Sequence, residues 1–359
     1  MKWLPSALLA YAQVGYLGLL AAWARAESPP PLDEPPAGPT PSVTLVIAAH
    51  DEGAVIADKV ANALALDYPR ELLEIVVSSD GSSDDTVARA RAAGADLVLD
   101  NPRGGKIRAQ DAAVERARGE IVAFSDANAL LEPGALRELV APFADPAVGY
   151  VCGQVRFVNE GGTSQEGLYW TYEMALRAYE SRLASVTGGN GAIYATRRSA
   201  YVVVDPIMGH DLTFPFTFVK HGWRAVYRPS ARATEKMVPS IEGEWARKRR
   251  MMSHAWPIVL RCGLLDPRGY PPRYAALIFS HRVLRYAGPL LHLPAPLWRP
   301  ARLPTLALVA GAVLGGRFRA RPLLVARYYV LTQASIAMGL YDWLRHGTEA
   351  GLSAPEGTR

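Results

Sequence analysis

Between residues 43 and 131 short apolar runs alternate with amphipathic stretches, and each apolar run stops at a cluster of polar residues. Val43 to Ala48 reads as a buried strand that ends in Ala49-His50-Asp51-Glu52, before a helical stretch to about Leu66. Leu72 to Ser78 is a second strand, closing on Ser79-Asp80-Gly81-Ser82-Ser83-Asp84-Asp85-Thr86, with a helix from Val87 to Ala93 behind it. Asp96 to Leu99 is a third, and the loop Asp100-Asn-Pro-Arg-Gly-Gly-Lys106 leads into a helix from Ile107 to Arg118. Ile121 to Phe124 is the fourth, delivering Asp126 and Asn128 to its C-terminal edge before Pro133 opens an amphipathic helix. Strand and helix four times over predict an α/β fold: a parallel sheet with helices on both faces. In open α/β sheets ligands sit at the carboxyl edge of the strands, where these polar clusters fall.

Beyond this region Val148 to Val158 alternates enough to be a strand pair or a long edge strand. Thr163 to Val186 is a long helix in which Leu168, Tyr172, Ala175, Leu176 and Tyr179 share a stripe and read as core. A glycine-rich turn, Thr187-Gly-Gly-Asn-Gly-Ala192, follows. Gly209-His210-Asp211-Leu212 then opens a helix ending at Gly222, with a strand from Arg224 to Tyr227. Four consecutive cations, Arg247 to Arg250, occupy one helical turn between Trp245 and Trp256. Such a run reads as a solvated face, a lipid headgroup contact or a diphosphate clamp.

Both ends of the chain are membrane-like. Trp3 to Trp23 is about long enough to cross a bilayer. Ala24-Arg25-Ala26 resembles a cleavage site, but the apolar length favours an uncleaved anchor over residues 1–26. A Pro-rich linker follows over 27–42. Tyr274 to Leu291 is interrupted by His281, Arg282 and Arg285 and reads as interfacial, Leu303 to Leu314 is short for a span, and Leu323 to Leu344 is long enough. The basic loop of Arg317, Arg319 and Arg321 should face the cytoplasm. These features divide the chain into an anchor (1–26), a linker (27–42), an α/β domain (43–270), membrane helices (271–345) and a polar tail (346–359).

Composition adds bounds rather than a fold. The 359 residues suffice for about two domains. The net charge of +5 suits anionic headgroups and phosphorylated substrates as well as nucleic acid, but the basic cluster abuts apolar helices that would occupy a bilayer, which disfavours nucleic acid. Cys152 and Cys262 lie far apart without metal spacing. No Gly-x-Gly-x-x-Gly turn follows the first strand, which argues against a dinucleotide-dependent oxidoreductase.

The chemistry-bearing residues each have a plain structural reading. Asp126 and Asn128 are oxygen ligands for a hard divalent cation, or a solvated turn. Lys106 and Arg108 put charge where the helix dipole disfavours it, which suggests an anionic partner, while an exposed turn lysine explains Lys106 equally well. Helix capping accounts for Ser82, Ser83 and Asp84 and, alone, for Asp211. Asp80, ahead of the turn glycine, is less easily explained that way.

Five separated segments from Val43 to Trp256 have the same order as in the family 2 glycosyltransferases, and the apolar helices after them resemble bacterial polysaccharide synthases of the poly-N-acetylglucosamine, hyaluronan and cellulose type. The resemblance implies a GT-A, Rossmann-like, nucleotide-sugar-binding domain with N- and C-terminal membrane helices. It implies inverting transfer of a hexosyl or N-acetylhexosaminyl group from a nucleotide-diphosphate sugar, a UDP-sugar first, to a hydroxyl of a lipid-linked or polysaccharide acceptor. The location implied is the cytoplasmic face of the inner membrane. Ala49, Asp51 and Glu52 stand at the family's Pro-x-x-Asn-Glu element, and Asp80 keeps the second acid of Asp-Asp-Gly-Ser. Lys106 falls near the donor phosphates. Ser125 and Asp126 open the element matching Asp-x-Asp, with Asp126 and Asn128 as ligands for Mg²⁺ or Mn²⁺. Gly189, Asn190, Gly191 and His210 fall on the acceptor side, and Asp211 matches the catalytic base. The Gln-x-x-Arg-Trp element falls on Arg247 to Met251; Arg250 matches while Gln and Trp are absent, so the resemblance does not extend to processivity. The alternative is a degenerate nucleotide-binding membrane protein that scaffolds a synthase complex.

Overall fold

A computed structural model describes residues 3–29, 40–158, 165–236, 241–318 and 320–347. Most of the Pro-rich linker, the polar tail from 348 and Arg319 lie outside the described residues.

In chain order, helices α1 (Leu4–Ala10) and α2 (Tyr16–Glu27) flank a widened π-helical turn at Tyr11–Gly15. Next come β1 (Val43–Ala49), α3 (Ile56–Leu64), β2 (Leu73–Asp80), α4 (Thr86–Ala92), β3 (Leu97–Asn101), α5 (Lys106–Arg116) and β4 (Ile121–Asp126). A two-residue β5 (Leu130–Leu131), α6 (Ala135–Val140), β6 (Val148–Val158), α7 (Gln165–Leu183), β7 (Ile193–Arg197), α8 (His210–Lys220), β8 (Arg224–Lys236) and α9 (Ile241–Arg261) follow. The chain closes with α10 (Pro272–Leu277), a second π-helical turn (Ile278–Val283), α11 (Leu284–His292), α12 (Arg299–Leu314) and α13 (Arg321–His346).

These elements form two compact units, each assembled from separate stretches of sequence. One comprises Met1–Pro29, Gly161–Leu183 and Ser240–Gly347; the other comprises Pro30–Glu160, Ala184–Pro239 and Thr348–Arg359.

The second unit is built on an eight-stranded sheet in the order β3-β2-β1-β4-β7-β6-β8-β5. The first four strands pair in parallel, as their apolar runs predict, and β7 then enters antiparallel to β4, making the sheet mixed. β6 lies between β7 and β8, so the segment expected as a strand pair or a long edge strand is a single interior strand; Tyr150, Val151 and Cys152 are buried. Ala48 is level with Asp126 and Ala49 with Ser79, which puts the ends of β1, β2 and β4 along one edge. β8 is longer than the expected Arg224 to Tyr227 because it continues past an irregularity to pair with the far half of β6.

The helical unit corrects the reading of α7. Leu176 is buried and Tyr172 and Tyr179 are half-buried, while Leu168 lies outside the described side chains; the buried face also carries Glu173, Arg177, Glu180 and Ser181. Glu180 accepts hydrogen bonds from the Tyr16 hydroxyl at 2.8 Å and His281 Nδ1 at 2.7 Å, and Glu173 is ion-paired with Arg285. Burial would raise the Glu173 carboxyl, but Arg285 and His281 hold it well below the usual carboxylate range. In the same unit α9 packs on α13, with Arg249 making a two-pronged contact to Asp342 at 2.6 and 2.7 Å and Trp256 Nε1 donating to the Ile336 carbonyl at 2.9 Å. Leu4–Glu27 and Arg321–His346 are long and apolar enough to cross a membrane, by length and composition. The 16 residues of α12 fall short of the roughly 20 a span needs.

Candidate active site

The polar edge of the sheet is built by loops that hold one another. Backbone N–H groups of Asp51, Glu52 and Gly53, at the end of β1, donate to Ser82 Oγ (3.1 Å), Thr86 Oγ1 (2.8 Å) and Asp84 Oδ2 (2.9 Å). The polar residues after β2 therefore brace the β1 loop as well as starting α4. Asp51 adopts φ of +51°, and its carboxylate accepts from the Ser83 N–H at 2.7 Å. That bond holds its carboxyl below the ordinary value. His50 Nδ1 donates to the Asp80 carbonyl at 2.9 Å.

Asp80 is 5% exposed. One of its oxygens accepts the Gly104 and Gly105 N–H groups at 2.7 and 2.8 Å, and the other pairs with Arg103 at 3.1 Å. The carboxylate thus fixes the Gly104-Gly105 turn, where Gly105 at φ +94° occupies a conformation that side chains disfavour. Lys106 emerges from this turn as the first residue of α5 and is hydrogen-bonded to the Asp126 carboxylate, with the Gly191 carbonyl 3.4 Å away. Burial alone would lower the Lys106 ammonium; Asp126, with Asp211 and Glu235 beyond it, raises it above its ordinary value.

Asp211 joins the same cluster from α8. Its carbonyl accepts the Gly189 N–H at 2.6 Å, and a Cβ placed on Gly191 would lie 3.9 Å from both Asp211 Cβ and Lys106 Nζ. Asp80, Lys106, Asp126, Gly189, Asn190, Gly191 and Asp211, expected from five separate segments, therefore surround one patch of the sheet edge. The Asn190 side chain holds its own loop, Oδ1 accepting the Ala192 N–H at 2.9 Å.

Ala49 is buried, and two further expected site residues turn their polar groups to the interior. Ser125 is fully buried, its hydroxyl committed to Lys59 and to the Ala192 carbonyl 3.1 Å away. His210, at 3% exposure, points into the aromatic core rather than to an acceptor. It stacks on Phe214 at 3.8 Å, is hydrogen-bonded to the Tyr194 hydroxyl at 2.8 Å, and its Nε2 has no partner among the described residues. Burial, then the Lys106 charge, hold its imidazole well below the ordinary value, so it is neutral at pH 7. The i, i+4 spacing of His210 and Phe214 on one helix face produces this stack.

Arg247 and Arg250 belong to the helical unit. Of the four consecutive cations, Arg249 is taken by Asp342 and Lys248 stands over the Tyr328 ring. Arg247 reaches Met251 Sδ at 3.2 Å, while the buried Arg250 Nε has no hydrogen-bond partner among the described residues.

Sequence reasoning missed Lys59. It lies on the buried stripe of α3 with Ile56, Val60 and Ala63, at i, i+3, i+4 and i+7, and a cation inside an apolar stripe was the available signal.

For a divalent cation the β4 turn offers one carboxylate, Asp126, and one amide oxygen, on the half-buried Asn128. No cluster of three His, Cys, Asp or Glu able to hold a metal occurs among the described residues. Hard-oxygen donors of this number suit Mg²⁺ or Mn²⁺ shared with substrate phosphates and water, rather than a cation caged by protein alone.

A mixed sheet with this strand order, carrying its polar cluster at the ends of β1, β2 and β4, is the GT-A glycosyltransferase fold. A mannosyltransferase from Pyrobaculum calidifontis, solved in complex with GDP-Man and Mn²⁺, superposes with a TM-score of 0.76 over 96% of this chain and 98% of its own, at 23% identity. The profile of the domain family "Glycosyltransferase like family 2" matches residues 39–253, and the chain belongs to that family. Among curated relatives, a beta-monoglucosyldiacylglycerol synthase of Synechocystis sp. is 27% identical over 87% of this chain and 70% of its own length. An N-acetylglucosaminyltransferase of Mesorhizobium japonicum is 28% identical over 62% of this chain, and a poly-beta-1,6-N-acetyl-D-glucosamine synthase of Staphylococcus aureus is 24% identical over 61%. The chain spans 57% and 56% of those two proteins' lengths. It is a glycosyltransferase.

Proposed function

We propose that the protein is an inverting transferase that moves a hexosyl or N-acetylhexosaminyl group from a nucleotide-diphosphate sugar, UDP-linked in the first instance, to a hydroxyl of a lipid-linked or glycan acceptor. The observation that carries the reading is the juxtaposition of Lys106 with Asp126 and Asp211: a cation and two carboxylates, from the start of α5, the end of β4 and the first turn of α8, at the carboxyl edge of the sheet. Asp211 takes the proton of the acceptor hydroxyl as the new glycosidic bond forms, and one such base suffices for inversion. Lys106 offsets the charge that builds on the departing diphosphate. Asp126 and Asn128 hold Mg²⁺ or Mn²⁺, which when bound supplies further positive charge to that diphosphate. Asp80 positions the Gly104-Gly105 turn, and with it Lys106, while Ala49, Asp51 and Glu52 shape the nucleotide end of the pocket. Arg247 and Arg250 are assigned to the donor diphosphate on the family resemblance alone.

The relative named for diacylglycerol glucosylation and the two long apolar helices favour a membrane-borne acceptor. The reading places the enzyme at the cytoplasmic face of the inner membrane, with residues 1–26 as a retained anchor.

The test is Asp211→Asn in membranes given a panel of UDP-, GDP- and dTDP-sugars. The variant is expected to fold and bind nucleotide as the wild type does, yet to lose transfer by a factor of about 10² or more. Wild-type turnover in this variant would sink the base assignment. A wild type that releases no nucleotide from any donor would favour the scaffold alternative.

A further inference from the structure

The β4 turn is held from beneath by one side chain. Lys59 enters from α3 with its whole length buried; its Nζ donates to Ser125 Oγ at 2.7 Å and also to the Ala129 carbonyl. Those two acceptors bracket Asp126, Ala127 and Asn128, and the Ala129 N–H closes the same turn on the Asp126 carbonyl at 3.2 Å. The Ser125 hydroxyl, accepting from Lys59, donates in turn to the Ala192 carbonyl at 3.1 Å, at the end of the Asn190-Gly191 loop. One helical turn on, Asn62 continues the splint, its amide donating to the Leu131 carbonyl and accepting the Leu131 N–H, both at 2.9 Å.

This arrangement is costly for stability alone. Neither hydrogen-bond partner of the ammonium is a carboxylate, and burial drives the Lys59 amine down to about 7 despite the opposing fields of Asp126 and Glu235. A methionine would fill the same space without that desolvation penalty, losing only the two hydrogen bonds in exchange.

The structure assigns Lys59 as a positioning residue that sets Asp126 and Asn128 for the cation and donor diphosphate and ties their turn to the Asn190-Gly191 loop. The assignment rests on the proposed reading of that turn as the cation and diphosphate site. Lys59 itself touches no substrate, so its effect passes through the geometry of the turn, as with residues that orient metal ligands in other sites.

The experiment compares wild type, Lys59→Met and Asp126→Ala, full-length in detergent, by Mn²⁺ electron paramagnetic resonance titration with UDP or GDP and by thermal melting. Lys59→Met is expected to fold and to melt within a few degrees of wild type, while its Mn²⁺–nucleotide dissociation constant rises about tenfold or more. A rise of less than threefold overturns the assignment. If Asp126→Ala binds Mn²⁺–nucleotide as wild type does, the site reading itself fails and the assignment with it. Loss in Asp126→Ala without loss in Lys59→Met refutes the Lys59 role alone. Should Lys59→Met fail to fold, Ser125→Ala, which cuts the same relay with one small deletion, decides on the same threefold criterion.

Discussion

The Lys106 ammonium is hydrogen-bonded to the Asp126 carboxylate, so the one acidic side chain that the β4 turn offers to a cation is already paired with one. Each partner is 30% exposed. A pair of this kind is worth about 1 kcal/mol, and a cation arriving without a diphosphate must compete with it. A diphosphate removes the competition by giving Lys106 an anion of its own.

The free protein is therefore expected to bind Mn²⁺ weakly, and two substitutions should strengthen that binding by different routes. Lys106→Met removes the competitor and should tighten Mn²⁺ alone by about fivefold while weakening UDP or GDP. Asn128→Asp adds a second carboxylate at a half-buried position and should tighten Mn²⁺ by roughly tenfold, since ligand charge count tunes such sites. Titrating Mn²⁺ with and without nucleotide checks both. Unchanged affinity in Asn128→Asp would remove Asn128 from the ligand set.

His210 gives the fold a pH dependence. Its imidazole is held well below 6.5 in the folded protein and returns to the ordinary value on unfolding. As pH falls below 6.5 the unfolded chain takes up a proton that the folded one refuses, so the stability present above 6.5 is lost progressively toward the folded value. The limiting slope is about 1.4 kcal/mol per pH unit. His210→Phe keeps the ring against Phe214 and abolishes the titration. Between pH 6.5 and 5.5 the wild type should lose about 2–4 °C of Tm more than this variant. Parallel Tm–pH curves would show that His210 is not the buried, neutral ring described.

The first four strands and their loops were legible in sequence because each apolar run is local and ends in residues that cannot be buried without partners. The candidate site comes from the family resemblance, whose elements fall on Asp80, Lys106, Asp126 and Asp211, each of which stands at an element boundary. What escaped depended on partners distant in sequence. α7 reads as an apolar stripe, but its buried face takes Glu173 and Glu180, whose hydrogen-bonding and ion-pair partners, His281 and Arg285, come more than 100 residues later. β6 reads as a strand pair or a long edge strand because nothing in residues 148–158 reveals that β7 and β8 flank it. The family resemblance puts His210 on the acceptor side beside Asp211, but successive helix positions face different directions, and the His210 ring turns into the core.

The glycine loop separates folding from chemistry within three residues. A Cβ on Gly189 would stand 1.9 Å from the hydroxyl of Tyr150, whose fully buried ring packs among Tyr194, Phe214 and Phe218 and has nowhere to retreat. Gly189→Ala must therefore displace either that ring or the Gly189 N–H bond to Asp211, and should cost about 1–3 kcal/mol of stability. Gly191 is different: an added Cβ meets only ordinary contacts, 3.9 Å from Asp211 Cβ and 3.9 Å from Lys106 Nζ. The fold should accept Gly191→Ala with its Tm unchanged. The methyl nevertheless projects between the proposed base and the cation that faces the donor, where the reacting groups must meet. Its kcat/KM should fall about tenfold or more, since small displacements of reacting groups are costly. Full activity in Gly191→Ala would show that the transfer does not take place between Asp211 and Lys106.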